Sequence, residues 1–177
     1  MVIGIACVQA NTWCIGDTTK GNGDLLYHIK CDMNFFKKKT EKNICVMGYG
    51  CFKSLPNAQP LKNRLNIVLC SKDRVNTLPA GVIAYTDFNK LLADIKIWSN
   101  SGLDIYICGG GMFYKSMLPY YDLIYITKVY DNKKTGNVYF PDLDKDDRFE
   151  ICDVLRNVQT DKYPLDFITY RKKINWC

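Results

Sequence analysis

Six short apolar runs, at residues 2–8, 44–47, 65–70, 82–84, 104–108 and 123–129, alternate with segments whose apolar residues recur at helical spacing. The runs are too continuous for sheets with one wet face, so they predict buried and largely parallel strands. The intervening helices are predicted over residues 31–39, near Phe52, over 87–98 with Phe88, Leu91, Leu92 and Ile95 on one face, and over 112–118 until Pro119 stops them. Alternation of this kind predicts an α/β sheet, in which ligands gather at the carboxyl ends of the strands. After Asp131 the pattern changes: residues 149–158 and 165–172, separated by a turn near 161–164, predict an antiparallel hairpin appended to the sheet. With no repeat, low-complexity tract or linker in view, the expectation is one domain over residues 1–177.

One strand end carries a ligand signal. Ile105-Tyr106-Ile107-Cys108 runs into Gly109-Gly110-Gly111 and resumes as Met112-Phe113-Tyr114, which reads as strand, turn, helix. Residues without Cβ let a ligand approach the backbone, and the following helix start offers unpaired N–H groups to an anion. The stretch is neither G-x-G-x-x-G nor a P-loop, and a glycine cluster also serves tight strand-to-helix packing.

Composition removes several alternatives. Nine cysteines, an odd number without C-x-x-C, sit largely inside apolar runs and read as reduced thiols. The single histidine, His28, leaves no zinc spacing and no Ser-His-Asp triad. No run spans a bilayer and Met1-Val2-Ile3-Gly4 reads as a first strand, so a soluble, cytoplasmic chain without membrane partners is expected. The net charge of +6 suits small anionic ligands, whereas Lys37-Lys38-Lys39 closes a helix and complements its dipole, so nucleic acid is not an expected partner.

Ile29, Asp32, Met33 and Phe36 share one face of the helix over 31–39, so a carboxylate interrupts an apolar stripe. Asp32 fits either a solvated first-turn acid or a site carboxyl. Ahead of it, residues 16–25 are polar and glycine-rich, with the composition of a mobile loop that could close over whatever meets the acid.

Four segments in fixed order resemble dihydrofolate reductase, over essentially the whole chain. Ile15-Gly16 and Asn22-Gly23-Asp24-Leu25-Leu26-Tyr27 resemble the substrate loop ending N-G-x-L-P-W, with Asp32 then falling on the family's active-site acid. Met47-Gly48-Tyr49-Gly50-Cys51-Phe52-Lys53-Ser54-Leu55 is similar to M-G-R-x-T-W-x-S-I, and Leu61-Lys62-Asn63-Arg64-Leu65-Asn66-Ile67-Val68-Leu69 to L-P-G-R-x-N-I-V-L. Ile107-Cys108-Gly109-Gly110-Gly111 with Tyr114 is similar to I-G-G-G-x-x-Y.

The resemblance implies a central eight-stranded, mostly parallel sheet with flanking helices and the C-terminal hairpin. It implies NADPH-dependent reduction of 7,8-dihydrofolate to tetrahydrofolate, by hydride transfer from nicotinamide C4 to pterin C6 with protonation of N5, in the one-carbon metabolism that supports thymidylate synthesis. Asp32, Tyr27 and Thr127 would form the catalytic set, with Thr127 bonded to the acid. Arg64 would hold the α-carboxylate of the substrate, a task suited to a planar guanidinium fork. Ala6, Cys7, Leu25, Met33, Phe36, Ser54, Leu55, Leu61 and Cys108 would line the pterin and aryl pocket. For the cofactor, a cis peptide between Gly109 and Gly110 is implied, with Gly110, Gly111 and Met112 amides at the pyrophosphate. Ala6, Ile15, Gly16, Gly48, Tyr49, Gly50, Cys51, Lys53, Cys70, Ser71, Lys72, Cys108, Phe113 and Tyr114 complete the cofactor contacts. No metal is implied, and a monomer with dihydrofolate and NADPH as its partners is expected.

The chain departs from the family pattern in places. Leu26-Tyr27 replaces Pro-Trp, Lys62-Asn63 replaces Pro-Gly, and Asn137 replaces a common acidic residue in the loop that latches the lid in some members. Residues 17–20 lengthen the lid. Tyr49 stands where an arginine usually grips the 2′-phosphate, so a reduced preference for NADPH over NADH is expected, with Ser71, Lys72 or Arg74 as remaining contacts. Two other readings stay open: the related pyrimidine reductase of riboflavin biosynthesis, and a non-catalytic folate- or nucleotide-binding module.

Overall fold

The computed structural model describes residues 1–20 and 24–174. Its eleven strands are β1 (Val2–Gln9), β2 (Cys14–Asp17), β3 (Asp24–Leu25), β4 (Ile44–Gly48), β5 (Leu65–Leu69), β6 (Val82–Tyr85), β7 (Ile105–Ile107), β8 (Leu123–Val129), β9 (Val138–Tyr139), β10 (Phe149–Val158) and β11 (Leu165–Lys172). The α-helices are α1 (Lys30–Thr40), α2 (Tyr49–Lys53), α3 (Phe88–Trp98) and α4 (Gly111–Met117). Eight strands form one sheet in the order β10-β11-β8-β1-β7-β4-β5-β6. From β8 to β6 all neighbours are parallel, and β11 pairs antiparallel with both β8 and β10.

Both faces of the central parallel strands are covered, which is why they read as unbroken apolar runs, whereas β10 at the edge is largely exposed. Val2 and Val8 of β1, with Ile124 and Ile126 of β8, pack under α3 and α4 on one face. Ile3 and Ile5, with Met47, Val68 and Tyr106, pack under α1 and α2 on the other. The period-2 alternation of β1 therefore turns Cys7 toward α1, and the alternation of β8 does the same for Thr127. Asp87 caps α3 by accepting from the Lys90 amide at 3.0 Å, and Leu91, Leu92 and Ile95 fill the core.

The chain order places the ligand cleft. From β4 it steps outward to β5 and β6, then returns so that β7 enters between β4 and β1. Connections part there, and the turn after β7 opens at the carboxyl ends of the strands. Of the segment expected as a mobile loop, both described ends are strands: β2 lies between β3 and β9 in a small antiparallel sheet. Asn22 and Gly23 lie outside the described residues. The eight cysteines among the described residues carry free thiols.

The crossing from β1 into β2 hangs on one buried amide. Gln9 Oε1 accepts from the Asn11 amide, the Thr12 amide and the Thr12 hydroxyl at 3.1, 2.8 and 2.7 Å, while Gln9 Nε2 donates to the Asp131 carbonyl at 2.6 Å. Gln9→Ala removes these bonds and leaves the Asp131 carbonyl as an unmet buried partner at about 1–3 kcal/mol, while water reaches the exposed Asn11 and Thr12. The expected result is a loss of about 1–3 kcal/mol in urea unfolding at an unchanged m-value.

Candidate active site

Asp32 sits in the first turn of α1. Across the sheet, Cys7 of β1 and Thr127 of β8 are register partners, so their side chains stand together beneath that turn. The Thr127 hydroxyl and the Cys7 thiol stand beside the Asp32 carboxyl and favour its charged form. The residue as a whole is partly open, but its carboxyl is set deep against the two strands. Burial lifts its pKa above the ordinary 3.8, and the bonds from Thr127 and Cys7 pull in the opposite direction without cancelling the lift. The Cys7 thiol is raised well above its usual range, first by burial and then by the neighbouring charge, so it is a donor and not a nucleophile.

Around this acid the cleft is apolar and open. Met33 and Leu25 are 45% and 47% exposed, although both are large apolar side chains. Phe36, Leu55 and Leu61 lie half-buried against the core on the α1 side. The Ser54 hydroxyl donates to the Cys51 carbonyl at 2.7 Å. Arg64 is seated on the far end of the same helix: its Nε donates to Thr40 Oγ1 at 2.9 Å, and its terminal nitrogens donate to the carbonyls of Lys62 and Lys37 at 2.6 and 3.2 Å. One helix thus carries the acid at its start and anchors the guanidinium at its end.

The glycine turn forms the second half of the cleft. The Gly109–Gly110 peptide is cis, and Gly109 has φ +121. The Gly48 amide donates to the Gly109 carbonyl at 2.7 Å, and Cys51 Sγ donates to the Cys108 carbonyl at 3.3 Å, so β4 and α2 are bound to the turn. A Cβ on Gly109 would lie 3.3 Å from Cys51 Sγ and from the Tyr114 ring, whereas Gly110 and Gly50 have nothing within 4 Å. The backbone is open at Gly110 alone of the three turn glycines, because a Cβ on Gly111 would meet Val138 Cγ1 at 2.8 Å and the Tyr139 carbonyl at 3.1 Å. The first amides of α4 have no intrahelical partner. Phe113 and Tyr114 turn their side chains into the core, where the Tyr114 hydroxyl donates to the Ile5 carbonyl at 2.6 Å beside Ala6. Met112 is 89% exposed, Cys70 is buried, and Lys53, Ser71 and Lys72 are exposed on the rim.

At the lid, Ile15 is buried and the Gly16 carbonyl accepts from the Asn137 amide at 3.1 Å. Asn137 Oδ1 accepts from the Thr18 amide at 2.9 Å, and its Nδ2 donates to Thr18 Oγ1 at 2.8 Å. A neutral amide makes the contacts here.

Tyr27, expected in the catalytic set, turns its hydroxyl toward Asp131. Its hydroxyl donates to Asp131 at 3.3 Å, its pKa is pushed far up by burial and by that carboxylate, and Lys134 donates to the adjoining Leu26 carbonyl at 2.8 Å. The proton of Tyr27 is committed to Asp131, not to Asp32. Sequence reasoning passed over Gln9, Thr40 and Asp131, because each acts through a partner distant in the chain and no local motif marks them.

Fold and site together define an α/β enzyme built on a mostly parallel sheet, with one enclosed acid in the first turn of α1 and a glycine turn at the carboxyl end of β7. A family model described as dihydrofolate reductase matches residues 1–172. The chain is similar to the dihydrofolate reductase of Bacillus subtilis, 28% identical over 154 residues and 86% of each protein, and to that of Schistosoma mansoni, 30% identical over 182 positions, covering 96% of this chain and 90% of the relative. Among solved structures it is similar to dihydrofolate reductase from Enterococcus faecalis complexed with NADP(H) and RAB-propyl, with TM-score 0.81, 26% identity and coverage of 98% and 97%. The chain belongs to the dihydrofolate reductase family.

The enclosed carboxyl has a stability consequence. Because the folded pKa of Asp32 lies above 3.8, the folded chain holds the proton more tightly than the unfolded chain between those two values. Stability therefore falls as pH rises through that window, and the penalty persists above it. Asp32→Asn is expected to melt at a higher temperature than the parent at pH 7, with the gap closing as pH falls toward 4. Calorimetry across that range checks the sign.

Proposed function

We propose that this chain reduces 7,8-dihydrofolate to 5,6,7,8-tetrahydrofolate with NADPH, in the one-carbon supply for thymidylate synthesis. The observation that carries this reading is the Asp32 carboxyl, enclosed by Thr127 and Cys7 and opening onto an apolar cleft bounded by the glycine turn. NADPH supplies the hydride, and the residues at hand fit it: bare backbone at Gly110, free amides at the start of α4, and exposed cations on the rim.

The work left to the protein is to hold the pterin, exclude water and place one proton. Asp32 accepts two hydrogen bonds from the amidine-like edge of the pterin and promotes protonation of N5 through bound water. Its raised pKa suits it to hold a proton nearer to neutrality than a solvated carboxyl can. Thr127 and Cys7 hold the carboxylate by donating to it. Leu25, Met33, Phe36, Leu55 and Leu61 present the apolar walls, and Ser54 lies at the aryl end. Arg64, braced by Thr40 and two carbonyls, offers its outer edge to the α-carboxylate of the substrate. Tyr27 acts as a positioning residue, its buried ring packed edge-on against Tyr163 and its hydroxyl tying the helix entry to Asp131. Asp32 and Arg64 together favour dihydrofolate over the pyrimidine of the related riboflavin-pathway reductase. We further propose one domain acting as a cytoplasmic monomer; among the described residues no helix is long and apolar enough to cross a membrane.

Mixing the chain with dihydrofolate and NADPH and following reduced-nicotinamide absorbance tests the reading directly; no loss of absorbance sinks it. Asp32→Asn is expected to lose roughly a hundred- to ten-thousandfold in turnover near neutral pH, with the residue of activity rising as solvent acidifies and protonates the substrate. Arg64→Leu is expected to weaken dihydrofolate binding by about 2–5 kcal/mol while barely affecting an analogue without the glutamate tail. Equal losses for the two compounds remove Arg64 from the carboxylate.

A further inference from the structure

The rim beyond α2 contains an arrangement that the family resemblance does not account for. β4 and β5 run parallel with Gly48 opposite Leu69, so the residues following each strand emerge side by side. Tyr49 follows the first. Ser71 and the 3-10 turn Lys72–Thr77 follow the second. The Arg74 guanidinium carbon lies 4.7 Å from the centroid of the Tyr49 ring. Below it, the Tyr49 oxygen is 2.9 Å from Thr77 Oγ1, and Thr77 Oγ1 donates to the Arg74 carbonyl at 2.7 Å. A hydroxyl has one proton, so Thr77 spends its own on Arg74 and Tyr49 is the donor in their bond. The Arg74 amide closes the turn on the Ser71 carbonyl at 3.0 Å. Ring, turn and arginine are therefore tied together at both ends.

We propose that Arg74, seated on Tyr49, is the residue by which this chain selects a cofactor bearing a phosphate on the adenosine 2′-oxygen. The proposal rests on the reading above that the cofactor is a nicotinamide dinucleotide. Cation–π attraction holds the guanidinium over the ring, and among the described residues its N–H groups make no side-chain hydrogen bond, so they can make the paired bonds that suit a phosphate. Arg74 is exposed, and among the described residues no carboxylate forms an ion pair with its side chain. The adjacent acid, Asp73, is held below the usual carboxylate range first by the Ser71 hydroxyl and its own backbone, with the Arg74 charge a smaller influence. Lys72 and Lys53 stand exposed on the same rim, but neither is braced by an aromatic ring. The position that is usually cationic in the family is filled here from the next loop, with Tyr49 turned from ligand into platform. The reduced NADPH preference expected from Tyr49 alone then does not follow.

The test uses the nucleotide fragments 2′,5′-ADP and 5′-AMP, titrated calorimetrically into the full chain without substrate. The parent is expected to bind 2′,5′-ADP at least about tenfold more tightly than 5′-AMP, with the ratio shrinking as salt rises. Arg74→Gln should cut that ratio about tenfold while leaving 5′-AMP binding and folate binding intact. Tyr49→Ala should lower it severalfold by releasing the arginine, and Tyr49→Phe should largely preserve it. An unchanged ratio in Arg74→Gln, or an equal collapse in Lys72→Gln, overturns the proposal. Equal binding of the two fragments by the parent overturns it too, but leaves reduction of dihydrofolate standing if NADH or NADPH is consumed. Failure to bind either fragment or to oxidise either cofactor overturns both readings.

Discussion

The Asp32 carboxyl, pressed by α1 against two neighbouring strands, is the constraint around which the rest of this molecule is arranged. A carboxylate in that position is costly unless donors meet it, and the parallel register of β1 with β8 supplies two, from Thr127 and Cys7. Those bonds offset part of the desolvation and leave a carboxyl that holds its proton more tightly than a solvated one. The protein carries a standing penalty at neutral pH for keeping this group, which is the usual signature of a site selected for chemistry over stability.

From that point the architecture extends along α1. The helix enters through Ile29 and a tyrosine bonded to Asp131, bears the acid in its first turn, and ends where Thr40 and the Lys37 carbonyl hold Arg64. Two groups proposed to recognise opposite ends of one substrate are thus referenced to a single helix. Rigid placement matters because misplacement by even an ångström weakens orientation-dependent catalysis. The cleft wall opposite is built differently, from backbone: Gly109 is crowded from behind by Cys51 and Tyr114, while Gly110 is bare in front.

The lid and the cofactor rim both show a family position refilled with different chemistry. Asn137 replaces an acid yet makes two side-chain hydrogen bonds to Thr18, which a neutral amide can make because it both donates and accepts, while its backbone N–H donates to Gly16. Such contacts do not titrate. At the rim, Tyr49 replaces a cation yet supports one, since an aromatic face can stack a guanidinium delivered by another loop.

Much of this was legible in the residues. Apolar runs without alternation determine strands covered on both faces, and the hairpin over Phe149–Val158 and Leu165–Lys172 follows from its own pattern and turn. The order of motifs around Asp32, Arg64 and the three glycines determined the family. What remained illegible depends on distances through space. The polar, glycine-rich composition of residues 16–25 resembles a free loop, because its strands are short and find their partners in each other and in Val138–Tyr139. The destination of the Tyr27 proton, the brace behind Arg64 and the seat of Arg74 on Tyr49 each join residues 24 to 104 positions apart. Local pattern reports which face of an element is apolar; only the packed chain decides which polar side chains meet across it, because hydrogen bonds and stacked rings are satisfied by proximity in the fold and leave no period in the sequence.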